Sequence, residues 1–95
     1  MSDGEPIGPA TTPQWRRGVR FRFDKARQRW MIVAPERILL PEGPGVDIAK
    51  LIDGEHKIDD IVKVLSSEYD ADVELIRDET MTFVTDLFEQ GYLKR

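Results

Sequence analysis

Apolar and polar side chains alternate along the chain from residue 19, with the period of two that is typical of a half-buried β-strand. A polar connection over residues 24–28 leads into an apolar run at 30–34, which predicts a second strand paired with the first as a hairpin. Residues 37–40 lie between two prolines and predict a short third strand, because proline cannot continue a strand. We therefore expect a three-stranded antiparallel sheet with residues 37–40 at one edge.

The rest of the chain has a helical pattern of apolar positions. Apolar residues between 46 and 52 predict a short first helix that is closed by Gly54. A second helix is predicted from residue 58, where large apolar side chains recur at intervals of three and four residues. Asp72 is a good N-cap for a third helix that extends to residue 89 or 90, with Gly91 just after its end. The predicted fold class is therefore α+β, a three-stranded antiparallel sheet followed by three helices.

The third predicted helix has a wider apolar face than one contact requires. Besides the expected core stripe, Met81, Val84 and Phe88 extend the apolar arc to one side. Either the helix is wedged between the sheet and another helix, or these three residues form the wall of a groove that binds a ligand. The third strand is a second candidate for ligand binding, because an edge strand offers unpaired backbone groups to which a peptide can add as a further strand. The candidate peptide-binding residues are Arg37, Ile38, Leu39, Leu40, Met81, Val84 and Phe88.

The first fifteen residues differ in composition from the rest of the chain. Residues 1–14 contain three prolines and two glycines, and after the initial Met1 their only large apolar side chain is Ile7. Such a segment buries too little apolar surface to compensate the entropy lost on ordering. We therefore expect residues 1–15 to be a flexible tail or linker and residues 16–95 to be the folded domain.

The net charge of −4 hides a strong asymmetry along the chain. Residues 16–37 carry eight cations against two anions, whereas residues 38–95 carry fourteen anions against six cations. The two halves can attract each other within one fold, or the basic part can steer an acidic partner towards the protein. The candidate partner-docking residues are those of the predicted hairpin, Arg20, Arg22, Lys25, Arg27 and Arg29.

Several classes of chemistry are excluded or disfavoured by composition. The chain has no cysteine and one histidine, so disulfides, iron–sulfur ligation, thiolate zinc sites and two-histidine metal sites are excluded, and we expect no metal or cofactor. No combination of nucleophile and base suggests an enzyme. The N-terminus has no signal-peptide pattern and no apolar run approaches 18 residues, so we expect a cytoplasmic protein without membrane contact.

A sheet followed by three helices could also form a winged helix that binds DNA. Residues 72–90 nevertheless carry six anions and one cation, and a recognition helix of that charge would be repelled by phosphates. We therefore expect no nucleic-acid partner. A DNA-binding regulator and a purely structural subunit of an enzyme complex remain as alternatives to a peptide-binding module.

Short motifs in a fixed order give the chain a family resemblance over residues 16–93. They are Arg17-Gly18-Val19-Arg20, Trp30, Ala34-Pro35-Glu36, Ile48-x-x-Leu51-x-Asp53-Gly54 and Gly91-Tyr92-Leu93. Together they resemble the PqqD family, small accessory proteins of pyrroloquinoline quinone biosynthesis. The resemblance implies a winged-helix-like recognition element for ribosomally synthesised and post-translationally modified peptides (RiPPs).

The resemblance also implies partners. Such elements bind the leader part of a precursor peptide as an added strand. A PqqD-like protein would hold the precursor peptide PqqA and present it to the radical S-adenosylmethionine enzyme PqqE. The iron–sulfur clusters would then belong to PqqE, in accord with the absence of cysteine from this chain.

Overall fold

A computed structural model of the chain describes residues 6–95 and contains an α+β fold. The elements in chain order are β1 Gln14–Trp15, β2 Arg20–Asp24, β3 Arg29–Ala34, β4 Arg37–Leu39, α1 Pro44–Lys50, α2 Ile58–Tyr69, α3 Val73–Glu89 and β5 Leu93–Lys94. Strands β2, β3 and β4 form an antiparallel sheet in that order, so the predicted sheet and the three predicted helices are confirmed. The two-stranded pairing of β1 with β5 is an addition that the sequence pattern did not predict.

Two tight connections build the sheet. The β2–β3 hairpin pairs Arg20 with Val33 at one end and Asp24 with Arg29 at the other. Asp24 stabilises the turn, since its Oδ1 accepts a hydrogen bond of 3.1 Å from the backbone N–H of Ala26. A two-residue turn then brings β4 back along β3. Strand β4 lies at the sheet edge, as predicted, and its three residues end one position before the predicted limit at residue 40.

The helix boundaries follow from their capping residues. Asp72 caps α3 by accepting a 3.1 Å hydrogen bond from the backbone N–H of Glu74, and Gly91 follows the helix end with a φ of 87°, so both predicted limits are confirmed. Helix α1 differs from the prediction. It ends at Lys50, and Gly54 lies in the following turn instead of closing the helix.

The core lies between β3 and the three helices. Its fully buried members come from every layer and include Ile32 of β3, Ile48 of α1, Ile61 of α2 and Leu87 of α3. Leu93 of β5 joins the same cluster. Burial of these side chains is the main stabilising term of a domain this small. Within residues 6–95 no helix combines the length and the apolar character needed to cross a bilayer.

The N-terminal segment differs from the flexible tail that composition predicted. The first two backbone N–H groups of α2 donate hydrogen bonds of 2.9 Å to this segment, that of Ile58 to the carbonyl of Thr11 and that of Asp59 to the carbonyl of Pro9. Those N–H groups have no partner inside the helix, so the segment supplies acceptors that the helix needs. Pro13 is fully buried, and Trp15 pairs with Leu93 across β1 and β5.

Composition underestimated this segment because its hydrogen bonds use backbone carbonyls, which do not depend on side-chain type. Trp15 adds an aromatic contact, with its ring centroid 6.0 Å from that of Phe21 in β2. Residues 1–5 of the predicted tail lie outside the described residues.

Candidate functional site

Strand β4 offers a free edge to a ligand. It pairs with β3 on one side only, and no other described strand lies along its second side. Ile38 and Leu40 point away from the core and are 53% and 40% exposed, whereas Leu39 between them packs against the core. The edge therefore combines unpaired backbone groups with exposed apolar side chains, the two components of peptide recognition by strand addition.

Arg37, at the start of β4, has an internal role. Its guanidinium lies 4.7 Å from the centroid of the Tyr92 ring and donates a hydrogen bond to the carbonyl of Gln90, just after α3. Carbonyls at a helix C-terminus lack partners within the helix and attract a positive charge. Arg37 thus holds the edge strand against the end of α3.

The structure corrects one of the predicted groove residues. Val84 is fully buried in the core and cannot contact a peptide in this conformation. Part of the wide apolar face of α3 is therefore core surface, because α3 packs against α1, α2 and β5. Met81 and Phe88 are only half-buried and remain available at the surface.

A groove of about 830 Å³, called here the α1–α3 groove, runs between the β4–α1 loop, the start of α1 and the outer face of α3. Ile48 and Met81 are among its apolar lining residues, and Met81 is the only member of the predicted set that lines it. Phe83 also lines it. Helix α1 approaches this ring closely because Gly45 has no side chain, since a Cβ placed on Gly45 would lie 2.8 Å from Phe83 Cε1. Neither Gly45 nor Phe83 was predicted as a site residue, since only tertiary packing brings them together.

The α1–α3 groove is acidic. Five carboxylate side chains line it and no lysine or arginine does. They are Glu42, Asp78, Glu79, Asp86 and Glu89. The negative charge of α3, which disfavours DNA binding, therefore also surrounds a groove with an apolar floor and favours a ligand with positive charge.

The predicted docking hairpin is basic and largely solvent-exposed. Arg20, Arg22 and Lys25 are exposed, and within residues 6–95 none of the three has a carboxylate at ion-pair distance. Arg27 pairs with Asp24 at 3.2 Å, and Arg29, which is half-buried, approaches Glu42 at 3.7 Å. Of the five predicted docking residues, three are thus uncompensated and two have partners within the fold.

The β2–β3 sheet carries an aromatic cluster. The ring centroids of Phe21 and Trp30 lie 4.7 Å apart in a stacked arrangement, and Phe23 meets the edge of Trp30 at 5.5 Å. Lys50 of α1 places its ammonium 5.2 Å from the Trp30 ring centroid. These contacts give the hairpin a rigid platform next to its row of arginines.

Comparison with known proteins places this fold and sequence in one family. Residues 29–93 match the family model described as coenzyme PQQ synthesis protein D (PqqD). The chain belongs to the PqqD family. Among its relatives, a "PqqA binding protein" of Rhodopseudomonas palustris strain BisB5 is 37% identical over 92% of this chain and 85% of the relative, and one of strain CGA009 is 40% identical over the same shares.

Two solved PqqD structures resemble the fold. The PqqD part of Methylobacterium extorquens PqqCD, described as a functional and stand-alone RiPP recognition element, superposes with a TM-score of 0.80 at 30% identity and covers all of both chains. PqqD from Xanthomonas campestris gives a TM-score of 0.61 at 30% identity, covering 95% of this chain and all of the other. The α+β architecture of a RiPP recognition element, expected from the resemblance, is confirmed.

Proposed function

We propose that this chain is a peptide-binding adaptor of pyrroloquinoline quinone biosynthesis that holds the precursor peptide PqqA. The observation that carries the proposal is the free edge of β4, with its exposed Ile38 and Leu40, in a chain whose relatives are named PqqA binding proteins. A peptide that pairs with this edge forms backbone hydrogen bonds, and its side chains enter adjacent pockets. The protein acts by binding, without catalysis and without a cofactor of its own.

The peptide site is drawn from the predicted residues, with one removed. Backbone groups of residues 37–39 pair with the peptide, while Ile38 and Leu40 contact its side chains. Met81 and Phe88 of α3 form the facing wall, and Val84 supports that wall from inside the core. The half-buried state of Met81 suits this role, because a flexible thioether side chain adapts to different ligand shapes.

The adaptor presents PqqA to the radical S-adenosylmethionine enzyme PqqE, which supplies the clusters and the S-adenosylmethionine. The basic hairpin, in which Arg20, Arg22 and Lys25 have no ion-pair partner among residues 6–95, is the surface proposed to dock this enzyme. It is formed by β2 and β3, while the peptide edge is β4, so both partners can bind at once. A relative in Methylorubrum extorquens is the bifunctional coenzyme PQQ synthesis protein C/D, 34% identical over 87% of this chain and 22% of that protein, which supports a place beside pathway enzymes. A cytoplasmic location goes with these partners.

The test is a calorimetric titration of the purified protein with PqqA, and separately with mixed-sequence duplex DNA, at about 0.15 M salt. The expected result is saturable one-to-one binding of PqqA and no binding of DNA, because phosphates are repelled by the acidic α3. Binding of DNA without binding of PqqA would instead identify a DNA-binding regulator. Binding of PqqE with no affinity for PqqA would identify a structural subunit of the enzyme complex.

A further inference from the structure

A second cavity, called here the corner pocket, opens where the start of α1, the end of α2 and the first half of α3 meet. Its volume is about 420 Å³, within the size range of pockets that enclose a ligand group. The residues that matter for its chemistry are Ile48, Leu65, Tyr69, Leu75, Ile76 and Thr80. The first five provide a predominantly apolar lining.

The rim of the corner pocket exposes large apolar side chains. Tyr69 at the end of α2 is 52% exposed, and Leu75 in the first turns of α3 is 54% exposed. Both line the pocket, so a side chain that enters it removes apolar surface from water on both sides of the contact. The pocket therefore fits a large apolar side chain.

Thr80 adds a polar requirement. The residue is fully buried and lines the corner pocket, and its Oγ1 is buried without a hydrogen-bond partner among the described residues. A buried hydroxyl that makes no hydrogen bond is unfavourable, and most such groups in proteins have a partner. Thr80 lines the corner pocket although its Oγ1 is covered in the free protein, so a ligand side chain with a donor or acceptor at its far end would supply this partner by displacing the side chains that cover it.

The corner pocket is continuous with the α1–α3 groove. Pro44, Ile48 and Glu79 line both cavities, and Glu42, which lines the groove, follows β4 by only three residues. A segment that pairs with β4 and continues along the groove therefore reaches the corner pocket without leaving the surface of the protein. No lysine or arginine lines either cavity, so the chain on both sides of the anchor side chain should be basic or neutral.

Asp47 and Tyr69 border the corner pocket and are joined to each other. The Tyr69 hydroxyl donates a hydrogen bond to the Asp47 carboxylate, and this bond raises the pKa of Tyr69 above its ordinary value. The contact links the end of α2 to α1 at this border of the pocket. A preformed pocket costs less ordering entropy on binding than one that must assemble.

We propose that the corner pocket is a second subsite for the bound peptide, which takes one large apolar side chain with a polar tip from a segment beyond the part paired with β4. This inference rests on the proposed peptide-binding function. It adds an anchor at the opposite end of the α1–α3 groove from the sheet edge. The anchor would fix the register of the peptide, because a strand addition to three residues alone leaves the register weakly specified.

The test compares PqqA affinities of the protein and three variants by calorimetry. Leu75→Ala should weaken binding about tenfold, since it removes apolar contact area at the pocket rim. Val73→Ala is the matched control, an exposed apolar residue two positions away on the same helix that does not line the pocket, and it should change affinity less than about twofold. Thr80→Val should weaken binding several-fold while the thermal midpoint of the free protein stays level or rises, because valine has no hydroxyl to leave unpaired.

A set of PqqA variants, each with one large apolar residue changed to alanine, identifies the anchor. One of these peptides should bind the wild-type protein more weakly than PqqA does, and its affinity should be the same for the wild type and for Leu75→Ala, as expected when the two changed groups are in contact. The inference is overturned if PqqA binds wild type, Leu75→Ala and Thr80→Val equally, while the proposed function stands. It is also overturned if only PqqE affinity responds to Leu75→Ala, which would make the pocket an enzyme-docking site. Failure of PqqA to bind any form contradicts the proposed function itself.

Discussion

Two neighbouring apolar residues of α3, Met81 and Val84, should respond to truncation in opposite ways. Val84 is fully buried, so Val84→Ala removes two carbon atoms from a packed core. At about 0.8 kcal/mol per buried carbon group, plus the cost of the cavity left behind, the expected loss of unfolding free energy is about 2–3 kcal/mol. For a domain of this size such a loss lowers the thermal midpoint by about 10–20 °C. PqqA affinity, measured below the new midpoint, should be unchanged.

Met81→Ala should show the reverse. Met81 is half-buried and lines the α1–α3 groove, so its truncation should weaken PqqA binding about tenfold and cost less unfolding free energy than Val84→Ala. Differential scanning calorimetry gives the stability of each variant, and isothermal titration gives its affinity. If Val84→Ala left the midpoint unchanged and weakened peptide binding as much as Met81→Ala, Val84 would face the peptide and its assignment to the core would be wrong.

Three further predictions concern other parts of the molecule. Backbone N–H groups of the following turn hold the pKa of Asp53 below its ordinary value. The ionised carboxylate therefore stabilises the fold at pH values above the ordinary pKa, and this contribution is lost as the pH falls through the lower, folded-state pKa. Asp53→Ala should make the unfolding free energy less dependent on pH in the acid range, and an unchanged dependence would contradict this. Gly45→Ala should cost about 1–3 kcal/mol in chemical denaturation, because its Cβ would lie 2.8 Å from Phe83 Cε1, and a neutral effect would show that the ring moves freely. Reversing Arg20 and Arg22 to glutamate should slow association with PqqE and reduce its salt dependence in stopped-flow kinetics, with PqqA affinity retained; an unaffected rate would remove the hairpin from the enzyme interface.

The elements that the sequence predicted well are those with strong local signals. The period of α2, the Asp72 cap and the glycine after α3 depend on neighbours within one or two turns, and so they can be inferred without knowing the tertiary structure. The hairpin of β2 and β3 is local in the same sense. The edge position of β4 followed because a three-stranded meander leaves its third strand outside.

The elements that it missed depend on distant partners. The N-terminal segment orders through backbone carbonyls that meet α2 almost fifty residues later, an interaction that side-chain composition does not encode. Val84 and Met81 have similar positions in the apolar pattern of α3, and only the packing of the other elements around α3 decides which is buried. The α1–α3 groove and the corner pocket require the close approach of α1 that Gly45 permits. The residues that line these two cavities therefore could not be predicted from the sequence pattern alone.

The proposed function depends above all on PqqA binding as an added strand on β4, facing α3. Its most direct test is an NMR titration of the isotope-labelled protein with PqqA, followed by measurement of intermolecular nuclear Overhauser effects. We expect backbone contacts between the peptide and residues 37–40, side-chain contacts with Met81 and Phe88, and none with Val84. Saturable binding with contacts confined to β2 and its arginines, and none along β4, would contradict it.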